Sequence, residues 1–120
     1  GGQQAPTTLL GQVTKTTPYG RTAEANGYPI RVCELLSSLE GAVYVARTAV
    51  FDPAQVTRTK KAILKAFQVQ EKGLGFSLVE VLANCPTNWH MSTPDSLKWL
   101  KENMLPYYPL GEFKVPEEVK

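Results

Sequence analysis

Two thiols, one imidazole and two charges inside strand-like runs are the groups through which this chain could do chemistry. Cys33 and Cys85 lie about fifty residues apart, a separation that fits no short metal-ligand motif. Neither belongs to a Cys-x-x-Cys pair, and no catalytic triad accompanies His90, the single histidine. That argues against an independent thiol or hydrolytic enzyme. His90 reads as a surface or loop-packing residue, and Trp89 as a core or interface anchor rather than a stacking platform. Cys33 falls within an expected helix, as a small buried hydrophobe. Cys85 differs in place: it lies in the polar second half of the stretch from Phe76 to Trp89, whose first half is a short apolar run. In open α/β sheets ligands sit just beyond the carboxyl ends of strands, so Cys85 to Trp89 stands where chemistry is expected. On residue type alone Cys85 is a small residue under a turn. Arg47 and Glu80 are the only charges inside the two expected strands. At similar depths in neighbouring parallel strands they should pair, because an unpaired buried charge is costly.

The elements that must position these groups follow from period and punctuation. Residues 1–21, rich in Gly, Gln, Thr and Pro, show neither helical nor strand period and read as an extended loop. Thr22 caps a short helix over 23–26 that Gly27 ends. Pro29 starts a second helix over 29–39, with Val32, Leu35, Leu36 and Leu39 on its buried face. Residues 42–51 are β-branched and aromatic, hence a strand. Asp52, Pro53 and Gln55 are a helix start, and Val56, Ile63, Leu64 and Phe67 mark the buried face of a helix reaching about Lys72, with Gly73 as stop. A strand over 76–83 completes a right-handed βαβ unit. Thr93, Pro94 and Asp95 open a last helix with Leu97, Leu100 and Met104 on its apolar face and Trp99 beside it. The tail, 105–120, cannot be helical through Pro106, Pro109 and Gly111 and reads as an extended arm, aimed away from the sheet by the preceding helix, whose Tyr107, Tyr108, Leu110 and Phe113 pack on another chain or on a distant part of this one; the competing reading, a frayed terminus, suits 117–120 better than the aromatic part.

The totals bound the class. A chain of 120 residues makes one domain, and 42% hydrophobic residues argue against disorder. A net charge of +2 is too small to imply nucleic acid, and Arg58, Lys60, Lys61 and Lys65 read as the solvated face of a helix. No apolar run approaches the ~20 residues that span a bilayer. Two cysteines make no disulfide framework, so the expectation is a cytoplasmic protein with reduced thiols. Two interior strands need further strands and cover on both faces. The expectation is therefore a single partial α/β domain: loop 1–21, body 22–104, arm 105–120, whose sheet partners come from an upstream segment or from a second copy.

Several separated motifs then agree in order. Gly1-Gly2-Gln3, Pro6-Thr7-Thr8, Pro18-Tyr19-Gly20-Arg21, Arg31-Val32-Cys33-Glu34, Cys85-Pro86-Thr87-Asn88-Trp89, Leu97-Lys98-Trp99 and Pro106-Tyr107-Tyr108-Pro109-Leu110-Gly111 resemble the C-terminal part of the thiamine-diphosphate-binding β subunit of 2-oxoacid:ferredoxin oxidoreductases. The Asn88-Trp89 version resembles subunits acting on 2-oxoglutarate or branched-chain 2-oxoacids. The resemblance implies the C-terminal portion of a thiamine-diphosphate-binding domain. It implies that Gly1, Gly2 and Gln3 end a loop passing near the cofactor, and that Cys85 is one ligand of a four-iron–four-sulfur cluster. It implies a complete enzyme with thiamine diphosphate, magnesium and that cluster, in which a 2-oxoacid is oxidatively decarboxylated, coenzyme A takes the acyl group and ferredoxin the electrons. The family's Gly-Asp-Gly motif and its other cluster cysteines are not in this chain, and such a cluster usually takes four cysteines. The chain alone is therefore expected to be inactive, to bind neither thiamine diphosphate nor a cluster, and to associate with itself or with other subunits. The competing reading, from another class, is a non-catalytic interaction domain docking through its Pro- and Tyr-rich arm.

Overall fold

The computed structural model describes residues 4–120. The N-terminal segment carries no long element, yet it is organised by one side chain. All five N–H groups of the buried Arg21 guanidinium donate to backbone carbonyls, those of Gly27, Ala5, Thr8, Asn26 and Tyr28, at 2.9–3.3 Å. Thr14 and Thr17 close a small hairpin-like turn, Oγ1 to Oγ1 at 2.7 Å.

Helix α1 (Ala23–Asn26) is capped by Thr22, whose hydroxyl accepts from Ala25 N–H, and ends at Gly27, as expected. Helix α2 (Val32–Ser37) is shorter than the expected 29–39. Ile30 N–H donates to Pro6 C=O at 2.9 Å, and that bond to the N-terminal loop holds the chain out of the helix until Arg31. Cys33 faces inward, whereas Leu35 and Leu39, expected to be buried, are exposed.

Strand β1 (Ala42–Ala49) is the centre of the molecule, buried at every position but Val43. Asp52 Oδ1 accepts from Gln55 N–H and Pro53 takes the first turn of α3 (Pro53–Glu71), a cap legible in the sequence. The inward face of α3 is a correction. Thr59, Ala62 and Val69 meet the sheet, while Val56, Ile63, Leu64 and Phe67 are exposed, Phe67 to 66%. A helix lying close on a sheet presents its small residues there; the large ones face out.

Strand β2 (Phe76–Leu82) runs parallel to β1, and a bulge at Val43 sets the register. Gly75 permits that approach: a Cβ there would stand 2.8 Å from Val43 Cγ1. After β2 come α4 (Pro86–Trp89) and α5 (Thr93–Trp99), which Ser92 rather than Thr93 caps, accepting from Asp95 N–H. The helix then continues where a break was expected. A π-helical turn (Leu100–Met104) leads into α6 (Leu105–Tyr107), and Pro106 falls in the first turn of that new register, where its missing N–H breaks no helical bond.

The tail is not directed away from the sheet, which corrects a second expectation, but its aromatic side chains do pack on a distant part of this chain, one of the two seats expected of them. Strand β3 (Gly111–Lys114) pairs antiparallel with β1, giving a three-stranded mixed sheet in the order β2-β1-β3. A 3₁₀ turn (Glu117–Val119) seats Val119 against Tyr44 and Val69, so this end is not frayed. The fold is thus α/β with the expected parallel βαβ unit. Within the described residues β2 is an edge strand, half-exposed along most of its length, not an interior one. Tyr44 and Ala46 pack under α3 on one face, Cys33, Val45 and Phe113 pack on the other, and a third cluster of Ala49, Leu82, Leu100, Met104 and Tyr108 closes the carboxyl end of the parallel strands.

Candidate functional site

The carboxyl ends of β1 and β2 lead into the turn that carries Cys85. This turn is braced at three points. Asn84 Nδ2 donates to Ser96 Oγ at 2.7 Å, and Ser96 Oγ donates to Thr93 C=O at 2.8 Å, which ties the end of β2 to the start of α5. Asn88 C=O accepts from Lys15 N–H at 3.0 Å, which ties α4 to the N-terminal loop. The Trp89 ring lies 5.0 Å from that of Trp99, tilted by 57°, so Trp89 is the packing anchor expected of it. Cys85 is the residue before α4, with an exposed, free thiol. His90 is exposed and takes a left-handed backbone (φ 56°), the one non-glycine residue with positive φ among those described. It borders a groove of about 500 Å³ between residues 9–13 and Trp89, Met91, Trp99 and Asn103.

Beneath this end, on the α2 face of the sheet, lies the charged cluster. Arg47, sixth in β1, stands opposite Glu80, fifth in β2, because the Val43 bulge shifts the pairing by one. Arg47 Nε donates to Glu80 Oε2 at 2.7 Å, so the expected pair forms directly. The same guanidinium forks onto Glu34 of α2 and donates from Nη1 to Pro109 C=O at 3.2 Å. The rings of Tyr108 and Phe113 lie 5.1 and 5.2 Å from its central carbon. Arg47 is 1% exposed. Burial works against its charge, but the bonds to Glu34 and Glu80 outweigh that and hold it protonated. The Arg47 hydrogen bonds hold Glu34 below the usual carboxylate range. Cys33 Sγ donates to Glu80 Oε2 at 3.2 Å, and burial together with that bond pushes its thiol up to about 12. Cys33 is thus a neutral hydrogen-bond donor within a structural cluster. Sequence reasoning found Arg47 and Glu80 but missed Glu34. The signal was available: one buried cation between strands asks for more than one carboxylate, and Glu34 adjoins the residue already assigned to the interior.

The structure brings Cys85 and Trp89 to one turn and keeps the two cysteines apart in role. Gly1, Gly2 and Gln3 lie outside the described residues. Among the described residues no group of three or more His, Cys, Asp and Glu side chains could hold a metal ion. Cys85 is an exposed free thiol, and the other thiol, Cys33, is already bonded to Glu80. No described helix is long and apolar enough to cross a membrane.

The chain is 42% identical over 114 residues to the ketoisovalerate oxidoreductase subunit VorA of Methanothermobacter thermautotrophicus, a match covering 95% of this chain and 24% of that protein. It is 43% identical over 103 residues to the 2-oxoglutarate synthase subunit KorB of Archaeoglobus fulgidus, covering 86% of this chain and 34% of the relative. The pyruvate synthase subunit PorB of Methanosarcina barkeri is more distant, 29% identical over 101 residues, 84% of this chain and 32% of the relative. The chain thus spans about a quarter to a third of the length of these curated relatives. No protein-family profile matches it, and no solved structure does. The resemblance read from the motifs is borne out: nearly the whole chain is related to a segment of 2-oxoacid oxidoreductase subunits.

Proposed function

We propose that this chain forms part of the thiamine-diphosphate-binding β subunit of a 2-oxoacid:ferredoxin oxidoreductase, and that Cys85 contributes one thiolate to its iron–sulfur cluster. The observation that carries this reading is the identity of 42–43% to oxidoreductase subunits over most of the chain. When bound, thiamine diphosphate with magnesium supplies the nucleophilic carbon for decarboxylation, and a four-iron–four-sulfur cluster supplies one-electron transfer. The chain's own part is positioning. The bonds from Asn84 to Ser96 and from Lys15 to Asn88, with the Trp89–Trp99 contact, fix the turn on which Cys85 stands. The Arg47 cluster locks β1, β2, α2 and the tail beneath it. Gly1 to Gln3 would approach the cofactor from the preceding loop.

The substrates on this reading are a 2-oxoacid, 2-oxoglutarate or a branched-chain one, together with coenzyme A, and the acceptor is ferredoxin, all in the cytoplasm. The companion surfaces would be the exposed Val56, Ile63, Leu64 and Phe67 of α3 and the open edge of β2. Apolar side chains of that size and an unpaired strand edge suit contact with the rest of the subunit, with companion subunits or with a second copy. An interaction domain docking through a free arm gains no support, since the arm's Tyr108 is buried on this chain's own sheet and the relatives are oxidoreductase subunits.

The test is made on the full-length subunit assembled with its companions. Cys85→Ser should lower bound iron and sulfide and abolish 2-oxoacid- and coenzyme-A-dependent dye reduction, while Cys33→Ser keeps the iron. Equal iron content in wild type and Cys85→Ser would remove Cys85 from the ligand set. Absence of any 2-oxoacid-dependent reduction by the wild-type assembly would overturn the reading as a whole.

A further inference from the structure

A cavity of about 400 Å³ opens between α3 and the sheet, on the face opposite the Arg47–Glu34–Glu80 cluster. It exists because its floor is built from small residues: Ala46 of β1, Ala62 of α3 and Gly111 of β3. A Cβ placed on Gly111 would meet nothing within 4 Å, so the space beside that residue is open. The volume lies within the range of small-molecule sites, roughly 300–1,000 Å³.

The rim of this cavity is cationic. Arg58, Lys61 and Lys65, spaced i, i+3 and i+7 on α3, line it together with Gln55, and among the described residues the one carboxylate lining it is Glu112 of β3. Glu112 Oε1 accepts from Lys65 Nζ at 2.8 Å and from the Tyr44 hydroxyl at 2.8 Å. Burial works to raise its carboxyl, but these two donors hold it below the usual carboxylate range. Lys65 and Glu112 therefore neutralise each other. Arg58 and Lys61 have no carboxylate within 4 Å among the described residues, which leaves two cations over a small-residue floor. The Arg47 guanidinium adds nothing here, being committed to Glu34 and Glu80 across the sheet.

We propose that this cavity binds a phosphorylated ligand of nucleoside-diphosphate size. The two uncommitted cations, Arg58 and Lys61, are three positions apart, about 4.5 Å along a helix, so both serve one short phosphate chain. The floor of Ala46, Ala62 and Leu110 takes the uncharged part of the ligand. A concavity with an apolar floor selects a small amphiphilic anion, where a convex lysine patch would select only charge. The site stands on its own geometry and does not depend on the oxidoreductase reading.

Titration calorimetry of the chain with ADP at low salt is the direct test, with pyrophosphate, inorganic phosphate and adenosine as comparisons. ADP should bind saturably, more tightly than pyrophosphate, and less tightly as salt rises. Adenosine should not bind. The double variant Arg58→Gln/Lys61→Gln, at two exposed positions, should lose at least tenfold in ADP affinity with an unchanged melting temperature. Glu112→Gln, which frees Lys65, should change affinity in the opposite direction. Lys98→Gln, on α5 away from the cavity, should leave binding unchanged. No saturable ADP binding, equal binding of pyrophosphate and ADP, or an equal loss in the Lys98 variant would each overturn the proposal.

Discussion

Arg47 and Glu34 form a two-pronged ion pair, Nη1 to Oε1 at 2.9 Å and Nη2 to Oε2 at 2.6 Å, that joins the central strand to the helix before it. The planar guanidinium matches the carboxylate edge to edge, and its remaining N–H groups reach Glu80 and Pro109 C=O. One side chain thereby holds four segments: α2, β1, β2 and the tail before β3. An ion pair out of water is seldom a large net stabiliser, since desolvation offsets much of the attraction, but breaking it from one side is expensive.

Arg47→Met should therefore destabilise the chain by about 3–5 kcal/mol, leaving two carboxylates without their cation. The triple variant Arg47→Met/Glu34→Leu/Glu80→Leu should recover most of that loss. Urea denaturation gives both values, and a single variant as stable as wild type would sink the argument. The pH dependence follows from Glu34, whose folded-state value lies below its ordinary 4.5. A lowered carboxylate contributes stability that is fully present above the unfolded value and is lost as pH falls through the folded one. Wild type should thus lose stability progressively below about pH 4.5, and Glu34→Gln should flatten that loss.

The two cysteines should separate cleanly in reactivity. Cys85 is exposed and Cys33 is buried with its thiol pushed up to about 12, by burial first and by its bond to Glu80 second. At pH 8 a disulfide reagent should modify one thiol per native chain and two after unfolding. Cys85→Ser should eliminate the native reaction. Rapid modification of both thiols in the folded protein would contradict the buried, hydrogen-bonded state of Cys33.

Two buried tyrosines should respond in opposite directions to loss of the hydroxyl. Tyr108 is fully buried, and its hydroxyl has no hydrogen-bond partner among the described residues. Tyr44, also fully buried, donates to the Glu112 carboxylate at 2.8 Å. Tyr108→Phe should be neutral or stabilise by about 1 kcal/mol, because it removes an unsatisfied polar group, whereas Tyr44→Phe should cost about 1.5–3 kcal/mol. Removal of everything after Asn103 should abolish cooperative unfolding, since it takes Met104, Tyr108, Phe113 and Val119 from the three packed clusters. Equal melting temperatures for the two phenylalanine variants would refute the assignment.

What the sequence determined by itself is local. Thr22 and Asp52 fixed two helix starts, because a cap is a bond between residues three positions apart and needs no tertiary partner. The β-branched run at 42–49 and the apolar run at 76–82 fixed the parallel pair, and their two interior charges fixed Arg47 against Glu80. The separated motifs, agreeing in order along the chain, were enough to point to the related oxidoreductase subunits. Tertiary structure decided the rest. Period on α3 told that Val56, Ile63, Leu64 and Phe67 share a side, but not which side the sheet takes; close approach chose Thr59, Ala62 and Val69 instead. Pro106 looked like a helix stop, and only the π turn before it, a shift in hydrogen-bond register, let the chain continue to Tyr107. β3 is too short to show a period, and it is a strand because the edge of β1 offers it unpaired backbone groups. The same seating places Gly111 and Glu112 beside the lysines of α3, and so forms a cavity from residues some fifty positions apart, a distance over which one-dimensional patterns carry no information.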